Sequence, residues 1–301
     1  MERVVVVQSP GHLFEVVPIF YQAANKLGYF DRFIIATDYP KPYGLGSNVD
    51  LVQLPRDLGR AENFRRALER VTTDLCVVMC DDHVLTTDTL NLDQYYKLMQ
   101  QYPEIGRIEL GPASPNYDKY LRKSGEKRIK HPSSLFEPYQ RGYRFYTNFQ
   151  PSLWRTEAFH RSLKGDANRN KLELAVANNA RADQSFISGF IHERPMPYLN
   201  FYASCKVHTA DPRYNRQQNF PHYREEFARH AKEHGLKLDP EKNVFVKRKA
   251  AGICASVPLA VYLENPDNED VLRQYSTSTT GIAGLVGRLK SKLKDAYHAV
   301  R

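Results

Sequence analysis

The chain has 301 residues, with 43 Lys and Arg against 34 Asp and Glu for a formal net charge of +9, and a hydrophobic content of 42%. That balance is ordinary for a soluble globular chain and excludes disordered or fibrous classes. No run approaches the ~20 apolar residues of a membrane span, and the basic excess favours phosphate-bearing partners.

The elements follow in chain order. The run Val4-Val5-Val6-Val7 reads as a first buried strand; it is too short for a signal peptide and lacks the basic lead and small-residue cleavage site. The loop Gln8-Ser9-Pro10-Gly11-His12 follows, then a helix over 16–27. Residues 33–37 form a second strand ending at Asp38, and 49–54 a third. Phe64, Ala67, Leu68 and Val71 at helical spacing predict a helix over 60–71. It delivers the chain into 75–80, a short Val- and Cys-rich run that reads as a central strand packed on both faces. This strand ends in Asp81-Asp82-His83. Two adjacent carboxylates repel unless a cation or proton lies between them, and ligands of such sheets bind beyond the strands' carboxyl ends.

Further on, 89–102 is predicted helical and 105–110 a strand. The stretch 111–138, rich in Pro, Ser, Lys and Tyr, reads as a long irregular insertion. Residues 143–149 alternate as a strand does and lead into Gln150-Pro151-Ser152-Leu153-Trp154-Arg155. Helices are expected from Thr156 and over 171–181, and a late strand over 200–207 ending at His208. Strands separated by helices imply βαβ units and a mainly parallel sheet. The division expected is a domain over 1–240, in halves 1–110 and 111–240, followed by an extension over 241–301. Within the extension, 282–300 has an apolar face of Ile282, Leu285, Val286, Leu289, Leu293, Ala296 and Val300 flanked by Arg288, Lys290, Lys292 and Lys294. Such a helix either lies on an anionic membrane surface or docks on its own domain. The four cysteines form no C-x-x-C pair, which favours a reduced, cytoplasmic setting, peripheral on a membrane if the helix binds one.

With this strand order and the acidic pair in place, the chain resembles a glycosyltransferase of the GT-A fold over about residues 1–215. The resemblance rests on the first strand and its loop, Thr37-Asp38, the helix carrying Asn63 and Arg66, the acidic pair, and Phe149 to Arg155. It implies a Rossmann-like, mixed but mainly parallel sheet flanked by helices, here with a C-terminal helical extension. It also implies transfer of a sugar from a UDP- or GDP-type donor to a saccharide or lipid-linked acceptor. By analogy Gln8, Ser9, Asp38, Asn63 and Arg66 border the nucleoside. Asp82, helped by Asp81, holds Mn²⁺ or Mg²⁺ against the diphosphate, with either Cys80-Asp81-Asp82 or Asp81-Asp82-His83 as the register of the family's D-x-D motif. His208 completes the metal set, His222 competing, and Arg213 and Arg216 clamp the diphosphate or form a solvated basic turn. Among Glu157, Asp166, Glu173 and Asp183, Glu173 is chosen as the base that takes the acceptor proton. Gln150 and Trp154 border the acceptor, Trp154 either stacking on a sugar or serving the core.

Three other readings stay open. Arg122-Lys123, Lys127-Arg128 and Lys130 could grip nucleic acid, making the acceptor a modified DNA base. A sugar-nucleotide nucleotidyltransferase shares the early topology, although Gln8 to His12 lacks that class's Gly-rich basic loop. A non-catalytic nucleotide-sugar-binding module is the last.

Overall fold

A computed structural model describes residues 1–9, 16–37, 45–55, 60–111, 116–164, 172–200, 222–248 and 250–276. The chain divides into two compact units, Met1–Phe201 and Tyr202–Arg301, so that residues 222–240 group with the second unit and not with the first.

The first unit is built on one sheet whose strand order is β3-β2-β1-β4-β8-β6-β9-β7. Its strands are β1 (Val4–Ser9), β2 (Arg32–Thr37), β3 (Val49–Gln53), β4 (Leu75–Cys80), β6 (Ile105–Glu109), β7 (Glu137–Pro138), β8 (Ser152–Arg155) and β9 (Ile187–Phe190). The β1–β2, β2–β3, β1–β4 and β6–β9 pairs are parallel. The short β8 runs antiparallel between β4 and β6, and β7 antiparallel at the edge. This is the mixed, mainly parallel sheet flanked by helices that the sequence predicts. A small ribbon, β5 (His83–Leu85) with β10 (Tyr198–Asn200), lies outside it.

Side chains of β1 alternate between two cores, as a two-residue period requires. Val5 and Val7 join Phe33, Ile35, Val77 and Met79 on one face, against α1 (Val16–Asn25) and α3 (Asp93–Gln101). Val4 and Val6 join Ile34, Ala36, Cys76 and Val78 on the other. There α2 (Arg60–Leu68), α5 (Thr156–Ser162) and α6 (Leu172–Ala182) cover the sheet. Each such Val, Ile or Phe contributes roughly 1.5–3 kcal/mol of burial. Gly189 has a steric reason: a Cβ there would lie 2.2 Å from the Glu137 carbonyl oxygen, so only glycine lets β7 pair with β9.

Two expectations are corrected. The stretch 111–138 carries a helix, α4 (Asn116–Ser124), because Tyr117 and Leu121, one helical turn apart, are both buried. Residues 143–149 are successive turns, with the Tyr143 and Tyr146 amides donating to the Gln140 and Tyr143 carbonyls. The Tyr143 ring joins those of Tyr117, Tyr139 and Phe190, and Tyr146 is buried, so aromatic packing and not strand pairing explains the alternation.

The second unit contains a sheet, two of whose strands fall within the expected extension 241–301. Strands β11 (His222–Arg224) and β12 (Asn243–Arg248) pair parallel, and β12 pairs antiparallel with β13 (Ile253–Pro258). Helices α7 (Glu225–Glu233), α8 (Leu259–Glu264) and α9 (Glu269–Gln274) accompany it, α9 capped by the Asn268 side chain accepting from the Val271 amide. The basic segment 282–300 lies outside the described residues. Among the described residues no helix is long and apolar enough to cross a membrane.

Candidate functional site

The register of the sheet gathers the candidate residues at one edge. Gln8 lies opposite Cys80, and Val78 opposite Ser152. The carboxyl ends of β1 and β4 therefore meet the amino end of the reversed strand β8. Because 75–79 are buried on both faces, the chain can place polar groups only where β4 ends, at Asp81.

The two carboxylates have different surroundings. Asp81 is 2% exposed and accepts a 2.6 Å hydrogen bond from the Ser9 hydroxyl, joining β4 to β1. Asp82 is half-buried, with its Oδ1 3.8 Å from His83 Nε2. One ligand atom each from Cys80, Asp82 and His83 lies within 4.8 Å of the others. Cys80 Sγ donates to the Phe149 carbonyl at 3.7 Å. Burial pushes the His83 imidazole below its usual range, against the opposing pull of Asp82, so it is neutral at pH 7. Its Nδ1 is buried without a hydrogen-bond partner. Gln8 Nε2 and Asn63 Oδ1 are among the other buried atoms that share that condition. An unpaired buried polar atom costs about 1–3 kcal/mol unless water or a ligand satisfies it.

Tyr198 sits among the acidic groups. Its ring centroid is 4.1 Å from that of His83. Burial first, and then Asp82, Cys80, Glu109 and Glu173, push its hydroxyl pKa upward. A Cβ on Gly111 would lie 3.3 Å from the Tyr198 ring and 3.4 Å from Gln150 Oε1, which marks where β6, the 150–151 turn and β10 converge. Glu173, in the first turn of α6, is exposed as a residue while its carboxyl end accepts from the Phe149 amide. Loss of water raises its pKa, with the Phe149 amide, Arg107 and Arg144 opposing and Glu109 adding to the rise.

Beneath this edge lies a buried polar network absent from the sequence reading. Arg107 and Glu109, both 0% exposed, form an ion pair at 3.1 Å. Asn148 accepts from Arg107 at 2.5 Å and donates to Glu109 at 2.7 Å, and its Oδ1 also accepts from the Gln150 amide at 3.1 Å. Tyr139 donates to Glu109 at 3.2 Å and Arg107 to Ser188 at 3.2 Å. The network thereby fixes 148–150, the turn that touches both Cys80 and Glu173. The signal was present: opposite charges two apart on a strand share one face, and in a sheet covered on both sides they must pair.

Other expected residues fall elsewhere. Arg66 is half-exposed and bonded to Glu62 at 2.9 Å along its own helix. Trp154 is 1% exposed, packed on Phe159 at 4.8 Å and under the Arg107 guanidinium; it serves the core and offers no face to a sugar. Glu157 and Asp183 pair with Arg161. His222 belongs to the second unit, its Nδ1 3.3 Å from Ser256 Oγ. Asp38, Asp166, His208, Arg213 and Arg216 lie outside the described residues.

No protein-family model matches the chain, and neither does any curated protein. Among solved structures, it is similar to S. aureus TarS 1–349, with TM-score 0.44 and 10% identity over 78% of this chain and 65% of that one. It is similar to the bifunctional IspDF of Campylobacter jejuni, with TM-score 0.40 and 14% identity over 68% of this chain and 53% of that one. It also resembles CMP:2-keto-3-deoxy-manno-octonic acid synthetase complexed with CTP, with TM-score 0.43 and 11% identity over 67% of this chain and 95% of that one. The chain spans under two thirds of the length of the first two. The sheet itself shows the class: a Rossmann-like, mixed but mainly parallel α/β fold, with Cys80, Asp82 and His83 clustered at the carboxyl end of its central strand.

Proposed function

We propose that this chain is a metal-assisted glycosyltransferase that moves a sugar from a UDP- or GDP-type donor to a saccharide or lipid-linked acceptor. The observation that carries the reading is the grouping of Asp82, His83 and Cys80 at the end of β4, with Glu173 across the Phe149 turn. The unpaired Gln8 Nε2 and Asn63 Oδ1 suit a nucleoside edge.

The donor set fits a divalent metal. A carboxylate suits Mg²⁺ and Mn²⁺, while the neutral imidazole with its unpaired Nδ1 favours Mn²⁺ over Mg²⁺, which takes oxygen ligands. Asp82 and His83 would hold the ion, and it would neutralise charge on the leaving diphosphate. Asp81, engaged by Ser9, holds the two strand ends together, which favours Asp82 as the metal-facing carboxylate. In the transfer the acceptor oxygen bonds to the anomeric carbon as the bond to the diphosphate breaks, and Glu173 takes the acceptor's proton. A carboxylate with a raised pKa is a stronger base than a solvated one.

The test is a thermal-shift panel of UDP-, GDP-, CMP- and dTDP-sugars with and without Mn²⁺. A ligand at 100 times its Kd stabilises by about 2.7 kcal/mol. One base class should raise Tm only with the metal, and Asp82→Asn should abolish that shift. Absence of any shift sinks the reading. Release of pyrophosphate from a nucleoside triphosphate and a sugar phosphate, in place of glycosyl transfer, would replace it with nucleotidyl transfer.

A further inference from the structure

The carboxyl end of α7 carries His230-Ala231-Lys232-Glu233-His234. The histidines stand four apart, one helical turn, which puts them on one face. Their ring centroids are 4.2 Å apart. Glu233 joins them, with one ligand atom from each of the three within 4.8 Å of the others. We propose that His230, Glu233 and His234 form a binding site for a transition-metal dication of the zinc class. The site is independent of the glycosyltransferase reading and shares no residue with the Cys80, Asp82 and His83 cluster.

Three features support this. The first is donor chemistry: two imidazoles and a carboxylate are a zinc donor set that leaves a fourth position open, and histidines four apart on a helix are a known way to present it. The second is preorganisation. His230 is 8% exposed and shares the buried side of α7 with Phe227, Ala228 and Ala231, so its ring is held before any ion arrives. The third is electrostatics. The carboxyl end of a helix carries partial negative charge that favours a cation. The neighbouring cations are occupied elsewhere: Lys232 donates to the Leu263 carbonyl on α8, and Arg229 binds Glu225, Tyr262 and Asp267.

The experiment uses untagged, full-length protein carrying Asp82→Ala and His83→Ala, which removes the other cluster. It is titrated with Zn²⁺ by calorimetry and with Co²⁺ by visible absorption. One equivalent of metal should bind, with a Co²⁺ d–d band showing nitrogen ligation. Adding His234→Asn or His230→Ala should weaken binding roughly tenfold or more, and Glu233→Gln should weaken it several-fold. His234 is only half-buried, so His234→Asn keeps the fold, checked by circular dichroism in chelator. If the Asp82→Ala, His83→Ala chain does not fold, the same reading comes from wild type, whose bound metal should fall by one equivalent on His234→Asn. Failure of the doubly substituted chain to bind metal, or affinity unchanged by both histidine substitutions, overturns the proposal.

Discussion

Asp81 and Asp82 are neighbours in sequence with different environments. Asp81 is buried and bonded to Ser9, so Ser9→Ala removes one donor to a buried carboxylate. It should cost about 1.5–3 kcal/mol in a denaturant titration; an unchanged midpoint would show that the bond contributes nothing. Glu173 carries the opposite expectation. Loss of water raises its pKa, so the folded state holds its proton more firmly than the unfolded chain does. The stability it contributes is present below the unfolded value of about 4.3 and is lost as pH rises through the folded pKa. Glu173→Gln should therefore be at least as stable as wild type at pH 7, with the two converging on acidification, while turnover falls by about 10²–10⁴. A variant that loses stability at pH 7 and keeps turnover would make Glu173 structural. The acidic pair was legible because an apolar strand ended on it. Which carboxylate faces outward was not, since that depends on Ser9 from a strand 72 positions away in sequence.

At the scale of elements, the outer strands were harder to read than the inner ones. β1, β2 and β4 are apolar runs with nothing else to be. β9 contains Ser188 and Gly189, and its place depends on pairing with β6 and on room for β7. α4 was hidden by polar composition although its Tyr117 and Leu121 had helical spacing. The Arg107–Glu109 pair is the sharpest test of how β6 holds the site. Removing one member of a fully buried pair leaves a charge without compensation and costs about 3–5 kcal/mol. Glu109→Ala should show that loss in urea unfolding, and should also disorder the 148–150 turn, read as loss of amide protection at Phe149 and Gln150. A loss in the range of a surface pair, below about 1 kcal/mol, would mean that water reaches the network.

For the whole molecule, part of the charge of +9 is compensated around α4, while Arg122, Lys123, Lys127 and Lys130 are exposed there. Arg128 is paired with both Asp118 and Glu137, and Arg122 and Lys123 occupy the last turn of the helix, where cations are favoured. Salt separates the acceptor classes. A site gripping several nucleic-acid phosphates loses about 10³–10⁵ in affinity between 50 and 200 mM salt. Acceptor binding here should weaken by less than about tenfold over that range, and a steeper slope would favour nucleic acid. The reversed strand β8 has a consequence for how such a protein diversifies. Its amino end, and not its carboxyl end, lies at the functional edge, so the few residues that lead into it form one wall of the site while its own side chains stay in the core. Variation at the half-buried Gln150 side chain can then reshape that wall while Phe149 keeps its contact with Cys80 at the end of β4. A library that randomises position 150 should yield folded proteins with altered acceptor preference, because that side chain can vary while the strand ends beside it cannot.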